Sequence, residues 1–308
     1  MELWNTTLDN SFFLMGILQE SKYPGLVCAT ITFFYLVAVI SNGLLLLLIA
    51  VDKRLHVPMY FLLSQLSLMD LLFTTISSPK TFVDYLQGQN TISFVGCGFQ
   101  MFLILTVGGA EDILLAFMSY DRYVAIQHPL NYMVFMRPKI CWSMVATSWL
   151  LAFMSALVHT IYTMHFPFCG TRVISHLLCE LPPVLKLACA DTTKYQFMVY
   201  TMGASFLLIP LSAILLSYTL VLTAVFHMPS TQGRKKALLT CSSHLTVVGL
   251  YYGPLVFIYV LSSAYHSPQQ DNIFSVFYTN ITPALNPLIY SLRNKDVLGA
   301  LKKLIGKL

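Results

Sequence analysis

The chain has 308 residues, of which 56% are hydrophobic and only 10% charged. So little charge cannot cover the surface of a water-soluble domain of this size, which excludes the soluble globular classes. The net charge of +5 reflects membrane topology and contact with the inner leaflet rather than nucleic-acid binding.

Seven apolar stretches, at about 25–50, 58–82, 95–126, 140–164, 195–226, 237–262 and 271–292, each reach the roughly 20 residues that a membrane crossing needs. They are continuous rather than alternating, which selects helices over a barrel. The predicted fold is an all-α membrane protein, a seven-transmembrane helix bundle with a short amphipathic C-terminal helix. It forms one domain over 1–308, with a tail at 1–24, the bundle at 25–292 and the last helix at 293–308. Placing the loops after spans 1, 3 and 5 on the side of the C-terminus collects there all eighteen Lys and Arg except Lys22, Lys80, Arg172, Lys186 and Lys194. That asymmetry puts the C-terminus in the cytosol and the N-terminus outside. Residues 1–14 lack the basic start of a cleavable signal, so span 1 is read as the uncleaved anchor.

In chain order, Asn5-Thr6-Thr7 is an N-glycosylation acceptor on the predicted outer side. Span 1 carries Asn42, span 2 Asp70, and span 3 Glu111 and Asp112. These carboxylates share their layer with no Lys or Arg, so they need protons, water or a cation. Either Asp70 and Glu111 hold a sodium ion through oxygen ligands, or they are protonated and hydrogen-bonded to Asn42 and Asn286. Span 3 runs directly into Asp121-Arg122, either a plain interfacial ion pair or a switch.

Cys97, Cys169, Cys179 and Cys189 lie at or beyond the outer membrane face, where disulfides form. Four cysteines allow three pairings, and a bridge from Cys97 into the 165–194 loop would pin that loop over the bundle. The eight histidines show no metalloenzyme spacing, which leaves only a metal role for His159, His165 and His176 open. No nucleophile–base set marks an enzyme, and no internal repeat marks a transporter. Asn286-Pro287 breaks the helix of span 7, as a hinge or a static kink. Beyond it, Asn294 can cap a helix with Val297, Leu298, Leu301, Leu304 and Ile305 on one face and Lys295, Lys302, Lys303 and Lys307 on or beside the other. Such a helix lies on the inner leaflet. No Cys follows Cys241, so this tail has no palmitoyl anchor.

Residues 58–64 (PMYFLLS), 118–126 (MSYDRYVAI), Ser217-Tyr218, 236–245 (KALLTCSSHL) and 283–294 (PALNPLIYSLRN) together resemble the signature set of the vertebrate olfactory receptors. These are rhodopsin-like G-protein-coupled receptors, and the short tail and motif types are similar to the class II, tetrapod-type group. Ser119, where the family usually has Ala, and Gln127, where it usually has Cys, depart from the pattern.

At 3.6 residues per turn, Met101, Leu105, Gly108, Asp112, Leu115, Ser119 and Arg122 share one face of span 3, and Tyr252, Val256 and Tyr259 one stripe of span 6. The resemblance implies that Met101, Leu105, Gly108, Gly109, Met202, Gly203, Phe206, Val256, Tyr259 and Thr279 border an odorant cavity. Their character suits a small, largely apolar odorant with one hydrogen-bonding group, and Asp112 is a candidate partner for its polar end. Gly108 and Gly109 either enlarge the cavity or admit a close helix. No Lys in 271–292 is available for a retinal Schiff base, and Ile104 stands where amine receptors place an aspartate.

The resemblance further implies that Asp121, Arg122, Tyr123, Tyr218 and Tyr290 form the activation switch. Arg122 would pair with Asp121 at rest and release as span 6 swings outward to admit a stimulatory, olfactory-type heterotrimeric G protein, raising cAMP. The expected location is the plasma membrane. The alternative readings are a non-olfactory chemosensory receptor of the same superfamily and a membrane transporter.

Overall fold

The structure, a computed structural model, describes residues 11–227, 230–260 and 267–306, leaving aside the side chains of Lys236, Thr240, Leu292, Arg293 and Ile305. Asn5, the expected glycosylation site, lies outside the described residues. In chain order come β1 (Ser11–Leu14), α1 (Ile17–Glu20), α2 (Pro24–Val51), α3 (Pro58–Gln87), β2 (Thr91–Ser93), α4 (Phe94–Gln127), α5 (Tyr132–Phe135), α6 (Pro138–Met164), β3 (Val173–Ile174), α7 (Leu181–Leu185), α8 (Thr193–Phe226) and α9 (Thr231–Tyr259). The chain then continues through α10 (Pro268–Val276), a π-helical turn over Phe277–Ile281, α11 (Thr282–Arg293) and α12 (Lys295–Ile305).

Local chemistry sets the helix starts. Proline opens α2, α3, α6 and α10, where its missing N–H forfeits no bond. Ser93 opens α4 by accepting from the Gly96 amide at 3.1 Å, and Ser230 opens α9 by accepting from Gly233 at 3.2 Å. That cap is why α9 starts at Thr231, ahead of the expected 237. α3 likewise runs to Gln87, past the expected 82, and carries Pro79 inside it.

Among the described residues, six helices are long and apolar enough to cross a membrane: α2, α3, α4, α6, α8 and α9. The seventh crossing is α10, the π-turn and α11 in unbroken succession. The chain is thus a multi-pass membrane protein. α4 is the central post, packed against α3, α6, α8 and α9. A Cβ placed on its Gly109 would sit 3.2 Å from the Ala152 Cβ of α6, so small residues set how closely these two helices approach.

The all-α bundle stands as expected, and a small three-stranded sheet is added at the end that carries the disulfides. β1 pairs antiparallel with β2, Ser11 opposite Ser93, and parallel with β3, Phe13 opposite Val173. The tail at 1–24 is therefore structured from Ser11 onward. Alternation drives it: Phe12 and Leu14 point inward and are buried, with Phe12 stacked near Phe94 and edge-on to Phe168. Cys97–Cys179 and Cys169–Cys189 are bridged, with Cα atoms 5.3 and 5.7 Å apart, and the first ties the loop before α7 to the top of α4.

At the other end, Asn294 Oδ1 caps α12 by accepting from Asp296 N at 2.9 Å and Val297 N at 3.4 Å. Val297 and Ala300 are buried against the bundle, while Lys302 and Lys303 stay exposed. Tyr60 Oη of α3 donates to the same Asn294 oxygen at 3.0 Å, so α12 is fastened to the bundle at its start. Beside it, Arg54 Nη2 lies 2.6 Å from Asp52 and holds that carboxyl well below the usual carboxylate range.

Candidate functional site

Toward the disulfide end, α4, α6, α8, α9 and the seventh crossing line a half-open cavity of about 150 Å³. Leu105, Gly108, Gly109, Met202, Gly203, Phe206 and Tyr259 line it, and Asp112 lies at its deep end. Met101, Val256 and Thr279, also expected there, do not. Met101 is fully buried one turn above Leu105, in the cluster formed by Phe12, Cys97, Phe168 and Cys179. The tail strand and tethered loop cover that level, so the cavity starts lower.

α9 presents Tyr251, Leu255 and Tyr259; Tyr259 stands at its expected place, while Tyr251 and Leu255 stand one residue before the expected Tyr252 and Val256. Tyr252 instead donates to the Asp112 backbone carbonyl at 3.0 Å. In the seventh crossing the π-turn carries an extra residue per turn and rotates the faces. Tyr278 thereby meets the cavity, and Thr279 is buried with its hydroxyl on Ser275 O at 2.7 Å.

The loop after Cys179 supplies the roof, which helix periodicity alone misses. Leu181 and Pro182 line the cavity, and the Glu180 carboxylate is 4% exposed. It accepts from Tyr259 Oη at 3.2 Å, Ser275 Oγ at 3.3 Å and Tyr278 Oη. Its position next to Cys179 was the available signal, because the disulfide fixes any neighbour over the bundle. His176 Nε2 shares a hydrogen bond of 3.1 Å with Ser275 Oγ, and His159 Nδ1 one of 3.3 Å with Tyr195 Oη. Among the described residues no group of three or more His, Cys, Asp or Glu could hold a metal, so His159, His165 and His176 do not converge.

A polar layer crosses mid-bundle. Asn286 Nδ2 donates to both Asp70 oxygens, at 3.0 and 3.2 Å. Asn42 Oδ1, Glu111 Oε1 and Asn286 Oδ1 are buried without a partner among the described residues.

At the far end of α4, Arg122 Nη2 meets Asp121 Oδ2 at 2.5 Å, with the Asp121 side chain 1% exposed. Tyr132 Oη of α5 donates to the other Asp121 oxygen at 2.7 Å. Burial first, then the adjacent carboxylate, pushes the Tyr132 phenol well up. Tyr123 stands edge-on to His128, with ring centres 6.2 Å apart. Tyr218 of α8 stacks on His244 of α9 at 5.6 Å, and the hydroxyls of Tyr218 and Tyr290 are buried without partners among the described residues. Gln127 Nε2 donates to Leu220 O at 3.2 Å, bracing α4 on α8, and Ser119 Oγ turns back to Ala116 O. The cavity and the ion pair therefore sit at opposite ends of one unbroken helix.

The sequence pattern of the family described as olfactory receptor matches residues 31–307. Olfactory receptor 2AG1 of Homo sapiens is 65% identical over 307 residues, covering 100% of this chain and 97% of that protein. Olfactory receptor 2AG2 of Homo sapiens is 63% identical over the same shares, and Olfactory receptor 2T1 of Homo sapiens is 51% identical over 100% of this chain and 83% of that protein.

Proposed function

The chain belongs to the olfactory receptor family, and from that premise we propose that it detects a small, largely apolar odorant in the cavity beside α4. Occupancy is reported through a G protein at the opposite end of the bundle. The family is one of receptors, not of enzymes. The observation that carries the reading is the half-open apolar cavity set above a buried Asp121–Arg122 pair on the same helix. Leu105 and Arg122 are separated by roughly 25 Å of α4, further than a small ligand reaches. The signal is therefore a change between two packings of the bundle, biased by ligand contacts in one of them.

The paired arrangement is the resting one. Activation breaks the Asp121–Arg122 contact, swings α9 outward and turns Arg122 toward the unpartnered hydroxyls of Tyr218 and Tyr290. The cleft so opened takes a helix of a stimulatory, olfactory-type G protein, and cAMP rises. The disulfide end with the N-terminus faces outward, and the basic α12 lies on the inner leaflet of the plasma membrane. A sodium ion between Asp70 and Glu111 fits the oxygen-rich donor set, because Asn42 Oδ1, Glu111 Oε1 and Asn286 Oδ1 are acceptors left over in the same layer.

An odorant screen with a cAMP reporter, in cells carrying an olfactory G protein, tests the reading. Wild type responds to members of the panel. Tyr259→Phe changes their ranking, and Arg122→Ala abolishes output at unchanged surface expression. Normal signalling by Arg122→Ala would remove the switch assignment.

A further inference from the structure

The two ends of the cavity each carry a carboxylate, and the two are differently served. At the roof, Glu180 is met by three hydroxyls, from Tyr259, Tyr278 and Ser275. Those three donors are thereby committed. Tyr251 Oη is committed as well, donating to Gly108 O at 2.9 Å. At the deep end stands Asp112, 8% exposed and lining the cavity, with Oδ1 lacking any partner among the described residues. The Tyr252 hydroxyl stands beside this carboxyl but spends its proton on the Asp112 backbone carbonyl at 3.0 Å, which leaves Oδ1 unmet.

A buried carboxylate oxygen without a donor is strongly disfavoured, and the polar group missing from the chamber is therefore a donor. Ser155 and Tyr200, also on the wall, carry hydroxyls that can either donate or accept, so they place no constraint on ligand polarity. One turn up, Gly108 has no side chain, and even an added Cβ would make only ordinary contact with Phe73 at 3.4 Å and Tyr251 at 3.8 Å.

We propose that this cavity selects odorants bearing a hydrogen-bond donor, a hydroxyl or an amine, which the Asp112 carboxylate accepts. The inference rests on the odorant-cavity reading above and narrows its ligand class. A ligand offering only ether, ester or carbonyl oxygens sets lone pairs against lone pairs there.

The test uses the full-length receptor in the cAMP assay, with straight-chain alcohols, amines, aldehydes and ethers of matched length from butyl to decyl. Surface display is measured by flow cytometry. Alcohols or amines activate, while aldehydes and ethers of the same length do not. Asp112→Leu raises the EC50 of the active donors by about tenfold or more, with display retained. Asp112→Asn keeps an acceptor oxygen without charge: it preserves an alcohol response and loses an amine response, which separates the two donor sources. Three results overturn the proposal: aldehydes or ethers matching the alcohols in potency, Asp112→Leu leaving donor potency unchanged, or silence across the whole series in displayed receptor. If carbonyl odorants respond and Tyr259→Phe shifts their potency while Asp112 variants do not, the cavity reading stands and the donor preference falls.

Discussion

Gly108 and Gly109 are adjacent in sequence and have opposite surroundings, so they separate two uses of glycine in a membrane helix. An added methyl at Gly108 meets only ordinary contacts, whereas one at Gly109 runs into Ala152 of α6 at 3.2 Å. Gly108→Ala is expected to leave display and thermal stability intact while weakening the response to the bulkiest active odorants. Gly109→Ala is expected to destabilise by about 1–3 kcal/mol, as overpacking does, read as a lower melting temperature of purified receptor. Equal effects of the two would dismiss this distinction. Tyr132 offers a second residue-scale test, since its hydroxyl holds the Asp121 oxygen that Arg122 does not. Losing a hydrogen bond to a charged group costs about 1.5–3 kcal/mol, here charged to the resting state. Tyr132→Phe should therefore raise cAMP without odorant at unchanged display, and a basal level equal to wild type would refute it. Asp121 and Arg122 were legible from sequence because a charged pair at a helix end is conspicuous. Tyr132 was not, because it arrives from a short helix whose docking no local pattern encodes.

The elements show how proline is tolerated within membrane-length helices. Pro287 has no N–H, so the carbonyl four residues back, on Pro283, loses its helical partner, and Asn42 Nδ2 of α2 fills the vacancy at 2.9 Å. Pro254 frees the Leu250 carbonyl in the same way, and Thr282 Oγ1 of α11 donates to it at 3.2 Å. Both broken helices are thus tied at the break to a neighbouring crossing. Thr282→Val keeps the shape and removes the donor, leaving a buried carbonyl unmet at about 1–3 kcal/mol. The melting temperature should fall, and Thr282→Ser should restore it. If Ser and Val melted alike, packing rather than the hydrogen bond would be the cause. The proline kinks were legible in the sequence, but their partners lie 241 and 32 residues away, beyond any local window. The same limit explains the cavity faces: spacing places Leu105, Gly108 and Gly109 on α4, but rotation of α9 and the π-turn at Phe277–Ile281 depend on neighbours, so Val256 and Thr279 yield their places to Tyr251, Leu255 and Tyr278. The strand β1 escaped because four alternating residues, Ser11–Leu14, carry too little pattern until two loops pair with them.

For the whole molecule, seven crossings and their approximate limits were legible because hydrocarbon forces length and continuity on every span. The coupling between the two ends was not, since it depends on which buried oxygens lack partners once the helices assemble. Those of Asn42, Glu111 and Asn286 are buried without partners among the described residues, and Asn286 also donates to Asp70. We propose that a cation held there joins α2, α3, α4 and α11 in the packing where Asp121 and Arg122 remain paired, and so stabilises the resting state. A ligand preferring the other packing must then work against it, and linkage makes the opposition mutual. Replacing sodium in the medium by N-methylglucamine should lower the odorant EC50 in the cAMP assay, by roughly fivefold at typical coupling strengths, and raise basal cAMP. Asp70→Asn removes the charge that anchors the ion while keeping the side-chain volume, and its EC50 should not respond to the exchange. A sodium dependence of equal size in Asp70→Asn would place the ion's effect outside this layer. No dependence in wild type would instead mean that the carboxylates are satisfied by protons, with the bundle switching on packing alone.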